Sequence, residues 1–444
     1  MKANIRTSGM PRVVIAGMGL GGLRLAMELR GRGFQVVAVD RNNYSQFPPL
    51  IYQVASAGLE PSSISFPLRR LFQGCRDCLF RMAEVRGVDP GDKVLLTSVG
   101  PIGYDYLVLA MGGETNFFGQ AGIEREALPM KTVEDAMVLR NRILLALERA
   151  QTEEDPQKRE RYLNFVIVGG GPSGVEIAGA LAEMKKDVVP RDYPDLAGRM
   201  HIHLLNSGSR LLKSMDPLSS ARAEKDLLKM GVHVHNGWRV TDCRNGVVSA
   251  GGGTLESATV IWVSGIRAAP VGGLPLEALG RGGRILTDRC CRVRRMENVF
   301  AIGDQSLVQG DPEWKEGHPQ LAQVALQQAS LLARNLVRKE KGEPMQPFVY
   351  RNLGTMATIG RKRAVAEIGR MKFGGLPAWS LWLVVHLRPI LGVKNKFFVL
   401  LNWIWNYFTY AQSLRLILRP RQRPLEEPEE RKPQGAEAAP GSED

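Results

Sequence analysis

Cysteine is scarce in this chain of 444 residues, with five, at positions 75, 78, 243, 290 and 291. So few, so spaced, do not make a disulfide framework. Cys75-Arg-Asp-Cys78 has the spacing of a redox dithiol, but it does not directly follow a glycine-rich turn; two half-buried small residues is the plainer reading. Cys290 and Cys291 are neighbours and are not expected to pair with each other. The six histidines show no metal-ligand spacing, so no metal is expected. No apolar stretch precedes the first strand, which argues against a signal peptide and for a cytoplasmic chain with reduced thiols. No confident membrane-spanning segment is found, since that needs about 20 apolar residues in a row. A basic motif interleaved with aromatics is also missing, so nucleic acid is not expected as a partner.

What the chain has in plenty is positive charge and glycine. The formal net charge is +14, and 48 residues are glycine. The segment from Pro420 to Asp444 carries more acid than base and hides part of a larger excess on the rest. Such a balance suits anionic cofactors or anionic lipid. An apolar fraction of 44% with 23% charged residues is ordinary for a globular protein, and the length allows two or three domains.

Two of the glycine clusters are dinucleotide-binding fingerprints. The first reads Val-Val-Ile-Ala-Gly17-Met-Gly19-Leu-Gly-Gly22, with Asp40 closing the next apolar run. The second reads Val-Ile-Val-Gly169-Gly-Gly171-Pro-Ser-Gly174. In each, the first glycine permits a tight strand-to-helix turn, the second lets a pyrophosphate approach the backbone, and the third lets helix and sheet pack closely. The phosphate then faces free N–H groups at a helix N-terminus. A carboxylate at Asp40 suits the hydroxyls of a ribose. Its counterpart in the second unit is Asn206, an amide, which does not repel a 2′-phosphate, and Arg210 follows four residues on. The second nucleotide is therefore expected to be NADH, with NADPH left open.

The expected fold class is α/β, with two Rossmann-like dinucleotide-binding domains, the second inserted in the first. Residues 1–131 and 276–345 form the first domain and 132–275 the second. Residues 132–150 have helical periodicity, and the charged stretch Gln151 to Arg161 reads as a linker. Asn298-Val-Phe-Ala-Ile-Gly303-Asp304 returns the chain to the first domain. A helix then runs from Pro319 to about Lys339, with the proline in its first turn. Residues 346–419 form a C-terminal region for membrane association or dimerisation. Within it, residues 376–391 and 397–410 are apolar and aromatic. Asn402, Asn406, Thr409 and Ser413 make one polar stripe at helical spacing. Four of the seven tryptophans fall between 379 and 405, and basic residues flank the second segment. These are the marks of helices lying in a membrane interface, so residues 376–419 are expected to meet the bilayer. The composition of 420–444 predicts disorder.

These residues resemble a known family. Both fingerprints, Leu50-Ile-Tyr52-Gln53-Val-Ala, Tyr106-Leu-Val-Leu-Ala-Met-Gly112, Ala301-Ile-Gly303-Asp304 and Ala322-Gln323-Val-Ala-Leu-Gln327 are similar to those of type II NADH:quinone oxidoreductases, the non-proton-pumping respiratory NADH dehydrogenases. The resemblance covers about residues 11–419. It implies FAD at Gly17, Gly19, Gly22, Asp40, Gly112, Gly303, Asp304, Ala322 and Gln323. It implies NADH, or NADPH, at Gly169, Gly171, Gly174, Glu176, Asn206 and Gly265. Glu176 is placed near the nicotinamide–flavin contact, to orient the nicotinamide or relay a proton. Gln323 and Gln327 share a helix face and, with Tyr52, are expected to bind a membrane quinone, menaquinone or ubiquinone. The resemblance also implies a homodimer, peripheral on the cytoplasmic face of the cell membrane.

The chain departs from the family's pattern at Phe47-Pro48-Pro49-Leu50, in a loop near the flavin, and at Asn206, where an acid is usual. An NADPH-accepting quinone reductase is the nearest alternative. Sulfide:quinone reductases need a reactive cysteine pair near the flavin, which Cys243, Cys290 and Cys291 do not obviously supply. A membrane-bound, nucleotide-sensing flavoprotein is the non-enzymatic alternative.

Overall fold

Five parallel strands make the first sheet, in the order Val299–Ala301, Tyr106–Leu109, Arg12–Ala16, Gln35–Asp40, Cys78–Met82. The structure is a computed structural model that describes residues 3–409 and 414–418. Val-Val-Ile-Ala and Tyr-Leu-Val-Leu are buried along their lengths, as strands covered on both faces must be. The second sheet repeats the plan with Leu128–Pro129, Thr259–Trp262, Asn164–Val168, His201–Asn206 and Val232–Asn236, again all parallel. The chain leaves the first sheet through Gly113–Thr115 and comes back through Ile266–Ala268, and these two segments pair antiparallel. Thus Val299–Ala301 joins the first sheet after the whole second sheet has been built.

Some expected elements differ. The stretch read as a linker, Gln151 to Arg161, is mostly helical: one helix runs on to Thr152 and another spans Pro156–Leu163, capped by Asp155. Asp155 followed by Pro156 is an N-cap signal that its high charge concealed. The glutamine-bearing helix begins at Ala322 and ends at Glu340. Pro319 therefore stands before it, its carbonyl accepting from the Leu321 N–H. Cys75 and Cys78 are joined in a disulfide, against the expectation of reduced thiols. Pro48–Leu50 forms a tight turn that runs straight into the helix Ile51–Ala55.

After the glutamine helix, three antiparallel strands, Thr355–Gly360, Arg363–Ile368 and Met371–Gly374, form a small sheet. Its first strand crosses the second-loop helix, Pro172–Glu183, at Gly179. A Cβ on Gly179 would lie 2.1 Å from the Ile359 carbonyl oxygen, so only glycine allows this approach. Two helices follow, Leu376–Leu387 and Val393–Thr409. Trp382 and Trp403 are buried, while Val384, Val385, Phe397, Phe398, Leu401, Ile404 and Trp405 are exposed. Among the described residues, no helix is long and apolar enough to cross a membrane. Ser413 of the expected polar stripe and the tail 420–444 lie outside the described residues.

Candidate active site

The two glycine loops have the same geometry. Gly17 and Gly169 have positive φ, and a Cβ on Gly22 or Gly174 would collide with the carbonyl oxygen of Gly17 or Gly169, respectively. Nothing lies within 4 Å of where a Cβ on Gly19 or Gly171 would stand. Those two residues begin the helices Leu20–Leu29 and Pro172–Glu183, and neither helix has a side-chain cap. Uncapped N–H groups beneath open space fit a pyrophosphate.

Around the first loop, Asp40 Oδ2 accepts from the Met18 N–H at 2.7 Å and Oδ1 from the Asn42 N–H at 2.8 Å. Burial is the largest influence on this carboxyl and raises its pKa, against those backbone bonds. Gly112, past the end of Tyr106–Leu109, has positive φ and its carbonyl accepts from Ala269. Gly303 packs against Ala325 in the first turn of the glutamine helix, and its N–H donates to Gln328 Oε1 at 2.7 Å. Asp304 faces Lys131 Nζ at 3.4 Å, and its carbonyl accepts from Gln320. Gln328 and Gln305 are both fully buried. Gln305 joins Met111 N–H to Ala269 C=O, tying the two sides of the domain crossing together. Sequence reading missed Lys131, Gln305 and Gln328, because a lone lysine or glutamine carries no spacing signal.

The ribose-reading position of the second loop is less open than expected. Asn206 Nδ2 donates to Gly208 C=O and to Asn236 Oδ1, and Oδ1 accepts from the Gly208 N–H. Arg210 donates to the carbonyls of Met215 and Lys213 at 2.8 and 2.9 Å. Its guanidinium braces that turn through two of its five N–H groups. Gly265, at the end of the strand Thr259–Trp262, has positive φ and lies against Phe118.

A cavity of about 100 Å³ opens beside the second-loop helix. Tyr52 and Gln53 line it from one side, Glu176 and Glu183 from the helix, and Thr358 and Arg361 from the crossing strand. Trp379, Trp382 and Trp403 close it from the C-terminal helices. Burial pushes the Glu176 carboxyl up to about 8, against a backbone hydrogen bond from Thr358. Burial also raises Glu183, whose carboxylate accepts from the Arg361 N–H. Tyr52 is raised well above an ordinary tyrosine, first by burial and then by Glu176. Two expected partners do not line this cavity. Gln323 bonds Gly354 C=O and Leu353 N–H, and Gln327 bonds Arg351 C=O and N–H. Both amides hold the segment 351–354 against the helix instead of presenting free groups.

Comparison with known proteins agrees with this geometry. Residues 11–329 match the pyridine nucleotide-disulphide oxidoreductase family, and residues 352–410 match the NDH2 C-terminal domain. The chain is 34% identical to the type II NADH:quinone oxidoreductase Ndh of Mycobacterium tuberculosis, over 88% of this chain and 87% of the relative. The chain belongs to the type II NADH:quinone oxidoreductases. An internal alternative NAD(P)H-ubiquinone oxidoreductase of Solanum tuberosum is 28% identical over 89% of this chain and 86% of its own. The solved structure of NDH2 from Plasmodium falciparum in complex with NADH shares the fold, with a TM-score of 0.84 at 19% identity, over 92% of this chain and all of that one. The sulfide:quinone oxidoreductase of Aquifex aeolicus shares it less closely, with a TM-score of 0.70 at 18% identity, over 90% and 96% of the two chains. Membership of the type II family sets FAD and NADH as the nucleotides this chain uses.

Proposed function

We propose that this chain oxidises NADH and reduces a membrane quinone without pumping protons. The observation that carries the reading is the cavity itself. It joins the second-loop helix to helices with an exposed apolar face, and one wall holds a carboxyl that stays protonated near neutral pH. FAD held at the first loop would supply the two-electron redox chemistry that links the nicotinamide to the quinone. The chain's own residues do the rest. Gly17, Gly19 and Gly22 hold the FAD pyrophosphate, and Gly169, Gly171 and Gly174 that of NADH. Asp40 binds the flavin's adenosine ribose, and Asp304 with Lys131 stands at the flavin end of the first domain. Ala322 opens the helix whose uncapped N-terminus favours negative charge on the isoalloxazine. Glu176 holds a proton for the quinone oxygen. The three tryptophans and Leu383 exclude water and accept an apolar ring.

The exposed apolar face from Val384 to Trp405 supports peripheral docking on the lipid surface, and the cytoplasmic side is inferred from the resemblance alone. The arrangement suits the substrates: NADH approaches from water, while the quinone reaches the cavity from the bilayer. Gln323 and Gln327 hold the strap 351–354, which leads into the strand bearing Thr358, and so shape the quinone site from behind. A homodimer is inferred from the resemblance alone, and sedimentation of the detergent-solubilised protein tests it. The reading itself is tested by steady-state oxidation of NADH and NADPH by purified holoenzyme with short-chain ubiquinone and menaquinone analogues. Quinone-dependent oxidation of NADH is expected; none with either nucleotide would sink the assignment.

A further inference from the structure

Three side chains in the cavity wall form a hydrogen-bond chain whose direction can be deduced. Trp403 Nε1 lies 2.9 Å from Gln53 Oε1, and Gln53 Nε2 lies 2.9 Å from the Tyr52 hydroxyl oxygen. An indole N–H only donates, so the end of Gln53 facing Trp403 must be its oxygen. The amide orientation, often ambiguous in a structure, is thereby fixed by chemistry. The other end of Gln53 is the NH₂ group, which also only donates. Tyr52 oxygen is therefore the acceptor, and its own proton is not used in this bond. The Tyr52 side chain is buried and lines the cavity. Burial and the neighbouring Glu176 hold it in the protonated, donating form.

Trp379, Trp382 and Trp403 wall the cavity around this donor, and Trp382 is 1% exposed. A tyrosine donor among aromatic walls suits a flat, apolar molecule with a carbonyl oxygen.

We infer that Trp403, acting through Gln53, orients Tyr52 as a hydrogen-bond donor to a carbonyl of the bound quinone. This rests on the proposed quinone reductase activity. It makes Trp403 and Gln53 positioning residues and assigns the contact with substrate to Tyr52. It also makes the outer C-terminal helix part of the substrate site. One face of that helix presents Phe397, Phe398, Leu401, Ile404 and Trp405 outward, while Trp403 sets the donor inside.

The test compares holoenzyme variants with a short-chain quinone, each rate divided by that with ferricyanide, an acceptor without a carbonyl. This normalises for flavin content and for the NADH half of the reaction. Tyr52→Phe is expected to lower quinone kcat/KM by about 10- to 100-fold, the range of one hydrogen bond to a substrate carbonyl. Trp403→Phe, which keeps the ring packing but frees the amide to turn, should cause about a 3- to 10-fold loss. The double variant should be no worse than Tyr52→Phe alone, because both changes remove the same donated bond. Gln53→Leu cuts the chain. With no amide between them, Trp403 no longer sets the Tyr52 hydroxyl, and the loss should match Trp403→Phe. Multiplying losses in the double variant, or a Gln53→Leu enzyme with parental quinone kcat/KM, would overturn the inference. If the parent reduces no quinone at all, the proposed function fails and this role goes with it. If the parent is active and the variants behave like it, only this role fails.

Discussion

Replacing Glu176 by glutamine separates the two halves of the reaction and tests the cavity's chemistry. The carboxyl is walled in by the second-loop helix, Tyr52 and Thr358, and its pKa lies at about 8. About nine-tenths of it is therefore protonated at pH 7 and about one-tenth at pH 9. If it gives its proton to the quinone, kcat with quinone should fall roughly tenfold for each unit above pH 8. Glutamine is close in size and keeps an acceptor for the Thr358 N–H, but it has no proton to release. The variant should lose about 10²- to 10⁴-fold in quinone turnover, the usual range for a general acid, and lose the inflection near pH 8. Flavin reduction by NADH under anaerobic stopped flow should change little. A Glu176→Gln enzyme with the parental pH profile would refute the reasoning.

The same group has a consequence for stability. The folded chain binds this proton more tightly than the unfolded chain, whose glutamate titrates near 4.5. From this group, stability is highest below that unfolded value. It falls as pH rises toward about 8 and is level above. Removing the carboxyl should therefore stabilise the protein at pH 9 relative to pH 5. The gain is about 1–3 kcal/mol, once the full shift at about 1.4 kcal/mol per unit is discounted for water in the cavity. Chemical denaturation of the parent and the glutamine variant at both pH values measures it.

Gly179→Ala would force the strand Thr355–Gly360 off the second-loop helix, since the new Cβ would stand 2.1 Å from Ile359 oxygen. A loss of about 1–3 kcal/mol is expected in denaturant titration, with weakened quinone reduction as Thr358 draws away from Glu176. Discrimination between nucleotides should not depend on Arg210, because its guanidinium is bound to the Lys213 and Met215 carbonyls. Arg210→Ala should leave the ratio of NADPH to NADH kcat/KM within about twofold, a shift of under ~0.5 kcal/mol, whereas a tenfold fall would show that this side chain reads a 2′-phosphate. Phe397→Asp with Trp405→Asp places two charges on the exposed apolar face. Liposome flotation should fall severalfold while ferricyanide reduction persists; undiminished flotation would show that this face does not meet lipid.

What was legible in the sequence was whatever repeats locally. Gly17, Gly19 and Gly22, and their counterparts at 169, 171 and 174, announce two turns by composition and spacing alone, and both turns have the expected form. Buried parallel strands such as Tyr106–Leu109 read as apolar runs for the same reason. The cavity was only half legible. Tyr52, Gln53 and Glu176 stand in motifs, but Glu183, Thr358, Arg361 and Trp403 come from segments with no shared period. Gly179, by admitting Ile359, brings the crossing strand against Glu176 and Glu183, a pairing that no local pattern contains.

The glutamines show how a correct local reading can give an incomplete role. Gln323 and Gln327 do share a helix face, and neutral amides do suit a quinone carbonyl. Yet an amide suits a backbone peptide equally well, since each offers one donor and one acceptor. The segment 351–354, following the helix, presents such peptides to that same face. Periodicity says which side chains look the same way; only the returning chain decides what they meet. Gln53 is the instructive contrast. It too is a neutral amide on a short helix, but its neighbours are an indole and a phenol rather than peptides. A peptide would satisfy both ends of the amide and stop there. An indole that can only donate passes its direction through the amide to the phenol, and the phenol carries it into the cavity.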